Sequence, residues 1–184
     1  MRVISGSAKG RILKPVPGTS TRPITDRVKV ALFDILAPDV GECLFLDLFA
    51  GTGGVGIEAL SRGARRAVFV DLDQKSIQTI HENLSSTRLA DRAAVVRSDS
   101  FRYLERTARE PFDMIYIAPP QYKGMWIQAL QILDRSADWL APDGMAIVQI
   151  DPKEAREVAM EHLEEFDRRR YGSTLLWFFE KPGS

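Results

Sequence analysis

The chain has 184 residues, of which 45% are hydrophobic and 27% charged, so its composition is that of a single globular domain and excludes a disordered tail. Its single cysteine excludes a disulfide framework and a cysteine-rich zinc site, and it is typical of a reducing compartment. The first residues lack the apolar region of a secretion signal, and no apolar run reaches the length of a membrane span. We therefore expect a soluble, cytoplasmic protein with no membrane partner.

The 25 basic and 25 acidic residues cancel overall but are unevenly placed along the chain. Residues 1–30 hold seven basic residues and one acidic residue, a net charge of +6, so the rest of the chain sums to −6. A basic arm on an acidic body is typical of a protein that meets a polyanion at one end. A merely solubilising arm explains the same pattern.

The first 40 residues are predicted to form a small extension. Residues 2–5 and 11–14 predict a basic hairpin, and Thr25 or Asp26 then caps a helix that runs to about Leu36. The apolar stripe of this helix is predicted to consist of Val30, Phe33 and Ala37, widened by Leu32 and Leu36. We expect the stripe to dock on the remainder of the protein.

From residue 43 onward, short apolar runs alternate with longer amphipathic stretches, which predicts an α/β fold with a doubly wound, largely parallel sheet and helices on both faces. The predicted strands are residues 43–48, 67–70, 93–97, 112–117 and 145–150. The predicted helices are residues 54–61, 74–86, 100–109, 125–139 and 153–164. Pro142, Asp143 and Gly144 predict a turn before the fifth strand. Residues 166–171 and 174–180 predict an antiparallel pair that closes the sheet.

A glycine-rich loop follows the first of these strands. Gly51, Gly53 and Gly56 match the G-x-G-x-x-G pattern, and Asp71 follows at the spacing of an acid on a ribose, so these residues alone are compatible with NAD. Asp47 argues against NAD, because a carboxylate beside a pyrophosphate costs on the order of several kcal/mol. S-adenosylmethionine carries a sulfonium and an ammonium group and no phosphate, so the loop favours S-adenosylmethionine. A plain glycine turn with Asp47 as a cap is the alternative.

Two further acids end neighbouring predicted strands. Asp71 is suited to the ribose diol, and Asp99 to the adenine amino group with the backbone of Ser98 or Ser100 against the ring. Each acid alone could be a helix cap, but three in this order indicate a cofactor crevice. The predicted cofactor site consists of Asp47, Phe49, Ala50, Gly51, Thr52, Gly53, Asp71, Leu72, Ser98, Asp99 and Ser100.

The fourth predicted strand ends in Ala118, Pro119, Pro120, Gln121 and Tyr122. The two prolines cannot donate backbone hydrogen bonds and fix a rigid turn at the carboxyl edge of the sheet. Such a turn is suited to aim a backbone carbonyl and a planar group at a flat substrate, although a plain strand terminator has the same sequence. These five residues form the predicted catalytic segment.

The sequence resembles the RsmD-type bacterial ribosomal RNA methyltransferases over essentially its whole length. The resemblance is carried by residues 2–6, 10–11, 21–28, 31–33, 45–51, 56–64 and 171–172. It implies a Rossmann-like, seven-strand class I methyltransferase fold with S-adenosylmethionine as methyl donor. It also implies methyl transfer to the exocyclic N2 of a guanine in small-subunit (16S) ribosomal RNA. On this basis residues 1–40 are an RNA-facing extension, and residues 41–184 are the methyltransferase domain.

The sequence departs from the family's acceptor motif, which is Asp/Asn-Pro-Pro-Tyr/Phe. Ala118 stands at the position of the side-chain acceptor, and Gln121 intervenes before Tyr122. Acceptors on the two N–H groups of guanine N2 help this poorly nucleophilic amine to attack, and Ala118 offers only its backbone carbonyl. Gln121 is a substitute acceptor, and Tyr122 is a platform on which the base can stack.

The basic extension is predicted to contact RNA phosphates while the target guanine leaves its stack to enter the pocket. The predicted RNA-binding residues are Lys9, Arg11, Arg22, Thr25 and Arg27. His81 and His162 have no partner motif, so no metal is expected, and the protein is expected to act as a monomer. Two alternatives stay open: a methyltransferase of the same fold that acts on a DNA base, a protein or a small molecule, and a cofactor- and RNA-binding protein in which Ala118 impairs catalysis.

Overall fold

Helices and strands alternate along residues 1–19 and 23–182, which are the residues that the computed structural model describes. The strands are β1 (Leu44–Asp47), β2 (Arg66–Asp71), β3 (Ala93–Arg97), β4 (Phe112–Ile117), β5 (Leu140–Ile150), β6 (Glu164–Tyr171) and β7 (Thr174–Glu180). The α-helices are α1 (Asp26–Leu36), α2 (Gly54–Ser61), α3 (Gln74–Thr87), α4 (Ser100–Leu104) and α5 (Met125–Arg135). Short 3₁₀ turns lie at Ala90–Arg92, Ala137–Trp139 and Pro152–Glu154.

All seven strands join one sheet in the order β3-β2-β1-β4-β5-β7-β6. The first five in this order are parallel, and β7 pairs antiparallel with both β5 and β6. The predicted α/β fold and its antiparallel closure are thereby confirmed. The strand order reverses at β1, with β2 on one side and β4 on the other, and the chain connections leave these strands in opposite directions. Open α/β sheets bind their ligands in the crevice at this point, outside the carboxyl ends of the strands.

Helices cover both faces of the sheet and bury a separate apolar core on each. On one face α1, α2 and α3 pack with the first residues of the chain, burying side chains such as Leu32 and Ile80. On the other face α4 and α5 pack, with Trp126 at the centre. The Trp126 ring lies 5.4 Å from that of Trp177 and is 1% exposed, so Trp126 is a core residue.

The hairpin predicted at the start of the chain is a compact antiparallel loop with a single bridge between Arg2 and Ile12. The helix after it begins as predicted, with the Thr25 hydroxyl accepting from the Val28 N–H at 3.3 Å. Of the predicted stripe, Leu32, Phe33 and Leu36 are buried, whereas Val30 and Ala37 are exposed. The residues that pack inward recur with the helical period and are Val28, Lys29, Leu32, Phe33 and Leu36.

Glu58 of α2 is the centre of a buried polar network that holds the beginning of the chain. Its carboxylate accepts from the backbone N–H groups of Ile4 and Ser5 at 2.9 and 3.0 Å, and from Arg62 Nε at 2.9 Å. Lys29 Nζ lies 3.4 Å away and is itself fully buried, as is Glu58. Burial lowers the pKa of Lys29, and the charge of Glu58 opposes that shift. The network joins the extension, α1 and α2 in one packed unit.

Two helices end earlier than the sequence predicts. The helix predicted at residues 100–109 ends at Leu104, whose carbonyl accepts from the Trp139 indole at 2.9 Å instead of from the next helical turn. The helix predicted at residues 125–139 ends at Arg135 and is followed by a 3₁₀ turn. Within the ranges described, no helix combines the length and the apolar composition needed to cross a bilayer.

The helix predicted at residues 153–164 is wrong. Only a 3₁₀ turn at Pro152–Glu154 forms, and the chain then runs without helix to β6. Asp134 explains the difference, because its carboxylate accepts from the backbone N–H groups of Glu161, His162 and Leu163 at 2.8 to 2.9 Å. These N–H groups are therefore bound to a side chain rather than to helical carbonyls.

The turn predicted at residues 142–144 lies inside β5, which starts at Leu140. Phe112 of β4 pairs with Leu140, but Met114 pairs with Met145, so β5 carries extra residues at this point. Asp143 there has a φ of +59°, in the left-handed region. The turn signal therefore produces a bulge within one strand.

We predict that Glu58→Ala lowers the free energy of unfolding by about 3–5 kcal/mol, because it leaves the buried Lys29 ammonium without its counter-charge. Urea denaturation followed by circular dichroism measures the change. Glu82→Ala is the matched control, since Glu82 pairs with Lys14 at the surface and its loss is expected to leave the midpoint unchanged. Equal midpoints for the two variants would contradict a structural role for the network.

Candidate functional site

The candidate site lies where the loops after β1 and β4 diverge, at the carboxyl edge of the sheet. β1 pairs with β4 on one side and with β2 on the other, and Asp47 lies opposite Tyr116 in the first pairing. The loops after β1, β2 and β3 carry the predicted cofactor residues, and the loop after β4 carries the predicted catalytic segment. The fold therefore brings these segments to one edge.

The glycine loop after β1 is a tight turn into α2. Gly51 and Gly53 have φ values of +56° and +77°, a region that favours glycine, and Gly53 is the N-cap of α2. The loop is fixed at its base because the Ala50 N–H donates to the Val70 carbonyl at 3.0 Å and the Gly53 N–H to the Ala50 carbonyl at 2.7 Å. The backbone of the loop is thus pre-shaped at the start of a helix, where ligands approach closely.

Asp71, at the end of β2, fixes the other side of this loop. Its Oδ2 accepts from the Gly51 N–H and its Oδ1 from the Asp73 N–H, both at 2.9 Å. A carboxylate oxygen can accept more than one hydrogen bond, so Asp71 keeps acceptor capacity for a ligand. Leu72 follows with 60% of its surface exposed, which places an apolar side chain beside this carboxylate.

Asp47 lies below the loop rather than in its open mouth. The side chain is 1% exposed, and its Oδ2 accepts from the Gly56 N–H of α2 at 3.1 Å. Burial raises the pKa of Asp47 to about 8, with a smaller contribution from the charge of Asp71, while the Gly56 hydrogen bond opposes the rise. A cation bound nearby would favour the ionised carboxylate.

The residues after β3 continue the edge beside Asp71. The Ser98 N–H donates to the Asp71 carbonyl at 3.0 Å, and the Ser100 hydroxyl to the Leu48 carbonyl at 2.5 Å. Asp99 caps α4, with one carboxylate oxygen accepting from two backbone N–H groups of that helix at 2.9 and 3.0 Å. These contacts join the ends of three strands.

Phe49 and Thr52 complete the loop after β1. The Phe49 ring packs edge-to-face on Phe101, with the ring centres 6.0 Å apart. The Thr52 hydroxyl accepts from the Gly54 N–H at 3.2 Å, and its carbonyl accepts from the Asn83 amide at 3.0 Å. Asn83 of α3 is fully buried. Its amide also accepts from the Lys14 N–H and donates to the Lys14 carbonyl, so it links the extension to the glycine loop.

The predicted catalytic segment forms a turn over the end of β5. Pro119 is buried, Pro120 and Gln121 are exposed, and Tyr122 is 64% exposed with a φ of +60°. Two acids after β5 hold Tyr122. Its N–H donates to Glu154 Oε1 at 2.8 Å, and its hydroxyl donates to Asp151 Oδ2 at 2.7 Å. Ala118 is half-buried and packs against the core on the α1–α3 face.

Sequence reasoning missed four residues of this edge: Asn83, Gln149, Asp151 and Glu154. Gln149 accepts a hydrogen bond from the buried Tyr116 hydroxyl. A signal existed for Asp151, since it directly follows a strand just as Asp47 and Asp71 terminate theirs. It was hidden by the helix wrongly predicted after β5.

Four of the five predicted RNA-binding residues lie on the surface of the extension. Lys9, Arg11, Thr25 and Arg27 are exposed, whereas Arg22 lies outside the described residues. Thr25 also serves as the N-cap of α1. Across the residues described, no group of three or more histidine, cysteine or acidic side chains is placed to hold a metal ion.

Comparison with known proteins matches residues 1–180 to the family model Conserved hypothetical protein 95. The chain is 42% identical over 185 residues to the YlbH protein of Bacillus subtilis, with all of both chains covered. It is 35% identical over 150 residues to ribosomal RNA small subunit methyltransferase D of Escherichia coli, covering 81% of this chain and 74% of that protein.

Solved structures show the same fold. The yhhF protein of Escherichia coli superposes with a TM-score of 0.89 at 29% identity, covering 100% of this chain and 99% of the other. An RNA methyltransferase from Salinibacter ruber, in complex with S-adenosyl-L-homocysteine, has a TM-score of 0.66 at 17% identity, covering 89% of this chain and 95% of the other. The latter likeness concerns the fold alone.

We predict that Gly56→Ala lowers the free energy of unfolding by about 1–3 kcal/mol, because a Cβ at residue 56 would lie 2.4 Å from the buried Phe69 ring. Gly54→Ala in the same helix is the control. There the added carbon meets the flexible end of Met1, which can move away, and alanine favours the helix. Chemical denaturation compares the two variants, and an equal loss in both would contradict the close approach of α2 to β2.

Proposed function

The chain belongs to the Conserved hypothetical protein 95 family, that of the RsmD-type methyltransferases, and from this premise we propose that it transfers a methyl group from S-adenosylmethionine to ribosomal RNA. We propose the exocyclic N2 of a guanine in small-subunit RNA as the acceptor. The observation that carries the proposal is the set of three acids, Asp47, Asp71 and Asp99, at the ends of adjacent strands beside the switch point of the sheet.

The residues of this edge fit S-adenosylmethionine better than a dinucleotide. Asp47 is a buried acid with a raised pKa, so a cation bound nearby would favour its ionised form, whereas a phosphate would gain no such interaction. Asp71 keeps acceptor capacity for a ribose diol, and Leu72 offers an apolar surface to a flat base. In this proposal the glycine loop contacts the amino-acid part of the cofactor and the Ser98–Ser100 segment contacts its adenine.

When bound, S-adenosylmethionine supplies an electrophilic methyl group. The chain's own residues then have to orient the guanine amine and accept hydrogen bonds from it. The backbone carbonyl of Ala118 is held by a rigid proline turn and supplies one acceptor. Tyr122, fixed by Asp151 and Glu154, presents an exposed ring on which the base stacks.

The extension provides the contact with RNA in this proposal. Lys9, Arg11 and Arg27 are exposed cations, and they contact phosphates through a salt-dependent attraction that does not read sequence. Residues 1–40 thus face the RNA, and residues 41–184 carry the methyl transfer.

Ala118 favours a second candidate function. Without a side-chain acceptor at this position, the protein would bind the cofactor and RNA but transfer no methyl group. An assay of methyl transfer to RNA decides between the two functions.

Radiolabelled methyl transfer to small-subunit RNA tests the proposal. The RNA comes from a strain that lacks the matching modification, both as free RNA and as assembled subunit, and mass spectrometry of the digested product identifies the nucleoside. We expect N2-methylguanosine at a single position. Transfer to another base, or to a substrate other than ribosomal RNA, would contradict the proposal, and cofactor binding without any transfer would establish the second candidate.

We predict that the affinity for S-adenosylhomocysteine depends on the ionisation of Asp47. Its pKa in the free protein is about 8, and the ligand's ammonium group favours the ionised form, so binding releases a proton below that pH. The ratio of wild-type affinity to that of Asp47→Asn should therefore rise by up to about tenfold per pH unit from pH 6 and level off above pH 8.

Calorimetry across this pH range measures both affinities. Protonation of the ligand affects both proteins equally and therefore does not change their ratio. Asp73→Asn is the matched control, since Asp73 caps α3 at the surface and asparagine caps equally well. Its ratio to wild type should stay constant with pH. A constant ratio for Asp47→Asn as well would remove Asp47 from the cofactor site.

A further inference from the structure

Gln149 lies beside Ala118 at the end of the sheet. β4 and β5 run parallel, and the last pair in their register is Ile117 with Val148. Ala118 follows Ile117, and Gln149 follows Val148. The two residues therefore lie side by side at the ends of neighbouring strands, whose backbones are about 4.8 Å apart. The chain thus places an amide side chain directly next to the position that lacks one.

The two residues also share a face of the sheet. Side chains alternate along a strand, and Tyr116, two residues before Ala118, is buried in the core on the α1–α3 face. Ala118 packs against that same core. The Tyr116 hydroxyl donates to Gln149 Oε1, so the Gln149 side chain lies on this face as well.

Tyr116 fixes the orientation of the Gln149 amide. The Tyr116 hydroxyl donates to the Gln149 amide oxygen. Burial also raises the pKa of Tyr116 well above its ordinary value, so the phenol stays protonated. The bond holds the amide oxygen, rather than the nitrogen, toward Tyr116. An amide oxygen has two lone pairs, so one accepts from Tyr116 and the second can accept from another donor. Gln149 is half-buried, at the boundary between this core and the open edge.

We propose that Gln149 supplies the side-chain acceptor for the guanine N2 amine that Ala118 lacks. The inference rests on the proposed function, since it concerns the same amine. The N2 lone pair forms the bond to the methyl carbon while the carbon–sulfur bond breaks and its electron pair stays on sulfur. The additional N2 proton then leaves to water. An acceptor on an N2 hydrogen raises the nucleophilicity of the amine during the attack.

Gln121, the substitute acceptor predicted from the sequence, is placed less favourably. It is exposed in the turn after the two prolines, and within the described residues no hydrogen bond holds its amide. Gln149 is held by a buried phenol, so less freedom is lost when it engages a substrate.

We predict that Gln149→Ala lowers kcat by about 100-fold with little change in KM, whereas Gln149→Glu, which keeps an acceptor oxygen, retains most of the activity. Ala118→Asn in the Gln149→Ala background should restore at least tenfold of the loss. Gln128→Ala, an exposed glutamine on α5, is the matched control and should leave kcat unchanged. Circular dichroism and the affinity for S-adenosylhomocysteine establish that each variant is folded.

A binding measurement tests the contact without turnover. RNA that carries the target guanosine is compared with the same RNA carrying inosine, which lacks the N2 amine. Wild type should bind the guanosine form about tenfold more tightly, and Gln149→Ala should show a smaller preference, because the Ala118 carbonyl still accepts from the amine. An unchanged preference in Gln149→Ala would contradict the contact.

The outcomes separate this inference from the proposed function. If wild type methylates guanine N2 and Gln149→Ala does so at the same rate, the acceptor role of Gln149 is overturned and the proposed function stands. The same holds if Gln121→Ala, rather than Gln149→Ala, lowers kcat by about 100-fold. A failure of Ala118→Asn to rescue a folded Gln149→Ala variant also overturns it. If wild type methylates no guanine N2, the proposed function fails and this inference fails with it.

Discussion

The buried carboxylate of Glu58 is the constraint on which the arrangement of this protein depends. A carboxylate and an ammonium group removed from water are costly unless each is fully paired. Glu58 meets this condition only when two segments distant in sequence, the backbone at Ile4 and Ser5 and Lys29 of α1, come together beside it. Arg62, one helical turn further along the chain, completes the pairing. The extension is therefore held on α2, the helix that starts at the glycine loop.

The acids at the edge of the sheet have structural roles that remain compatible with the proposed ligand-binding roles. Asp47, Asp71 and Asp99 each accept backbone N–H groups from the loops beside them, so each has the cap-like role that argues against a functional interpretation. A carboxylate has about four acceptor sites, however, and these bonds fix its position without using them all. Acids that shape their own loops are already oriented when a ligand arrives, and this lowers the entropy cost of binding.

Local signals in the sequence predicted most of the fold and much of the candidate site. The strands, the glycine loop and the antiparallel end depend on periodicity and turn chemistry, which act over a few residues. The errors arose where a distant side chain decides the local structure. Asp134 binds the backbone that was predicted as a helix after β5, and Trp139 ends α4. Lys29 has the sequence character of a surface charge, and only the fold reveals its buried partner.

The same limit explains why the edge near Ala118 could not be predicted. Whether an amide on β5 lies beside a position on β4 depends on the register of the two strands. The bulge at Asp143 shifts that register, because β5 carries extra residues between its pairs with Phe112 and Met114. Aligning the first residues of β4 and β5 does not pair Gln149 with Ala118. The pairing of side chains across strands is a property of the folded sheet, and the chemistry at its edge follows from that pairing.

The backbone of the extension makes hydrogen bonds to the rest of the protein, and several of its basic side chains face solvent. Asn83 bonds the Lys14 backbone and the Thr52 carbonyl at once, and Glu58 accepts from the backbone N–H groups of Ile4 and Ser5. On the side of the extension, these contacts therefore use main-chain groups rather than side chains. The side chains of Lys9 and Arg11 take no part in them and face solvent. In the proposed function, an arm held by its backbone keeps its charges available to RNA. The contact of Asn83 with the glycine loop then fixes the arm relative to the proposed cofactor site.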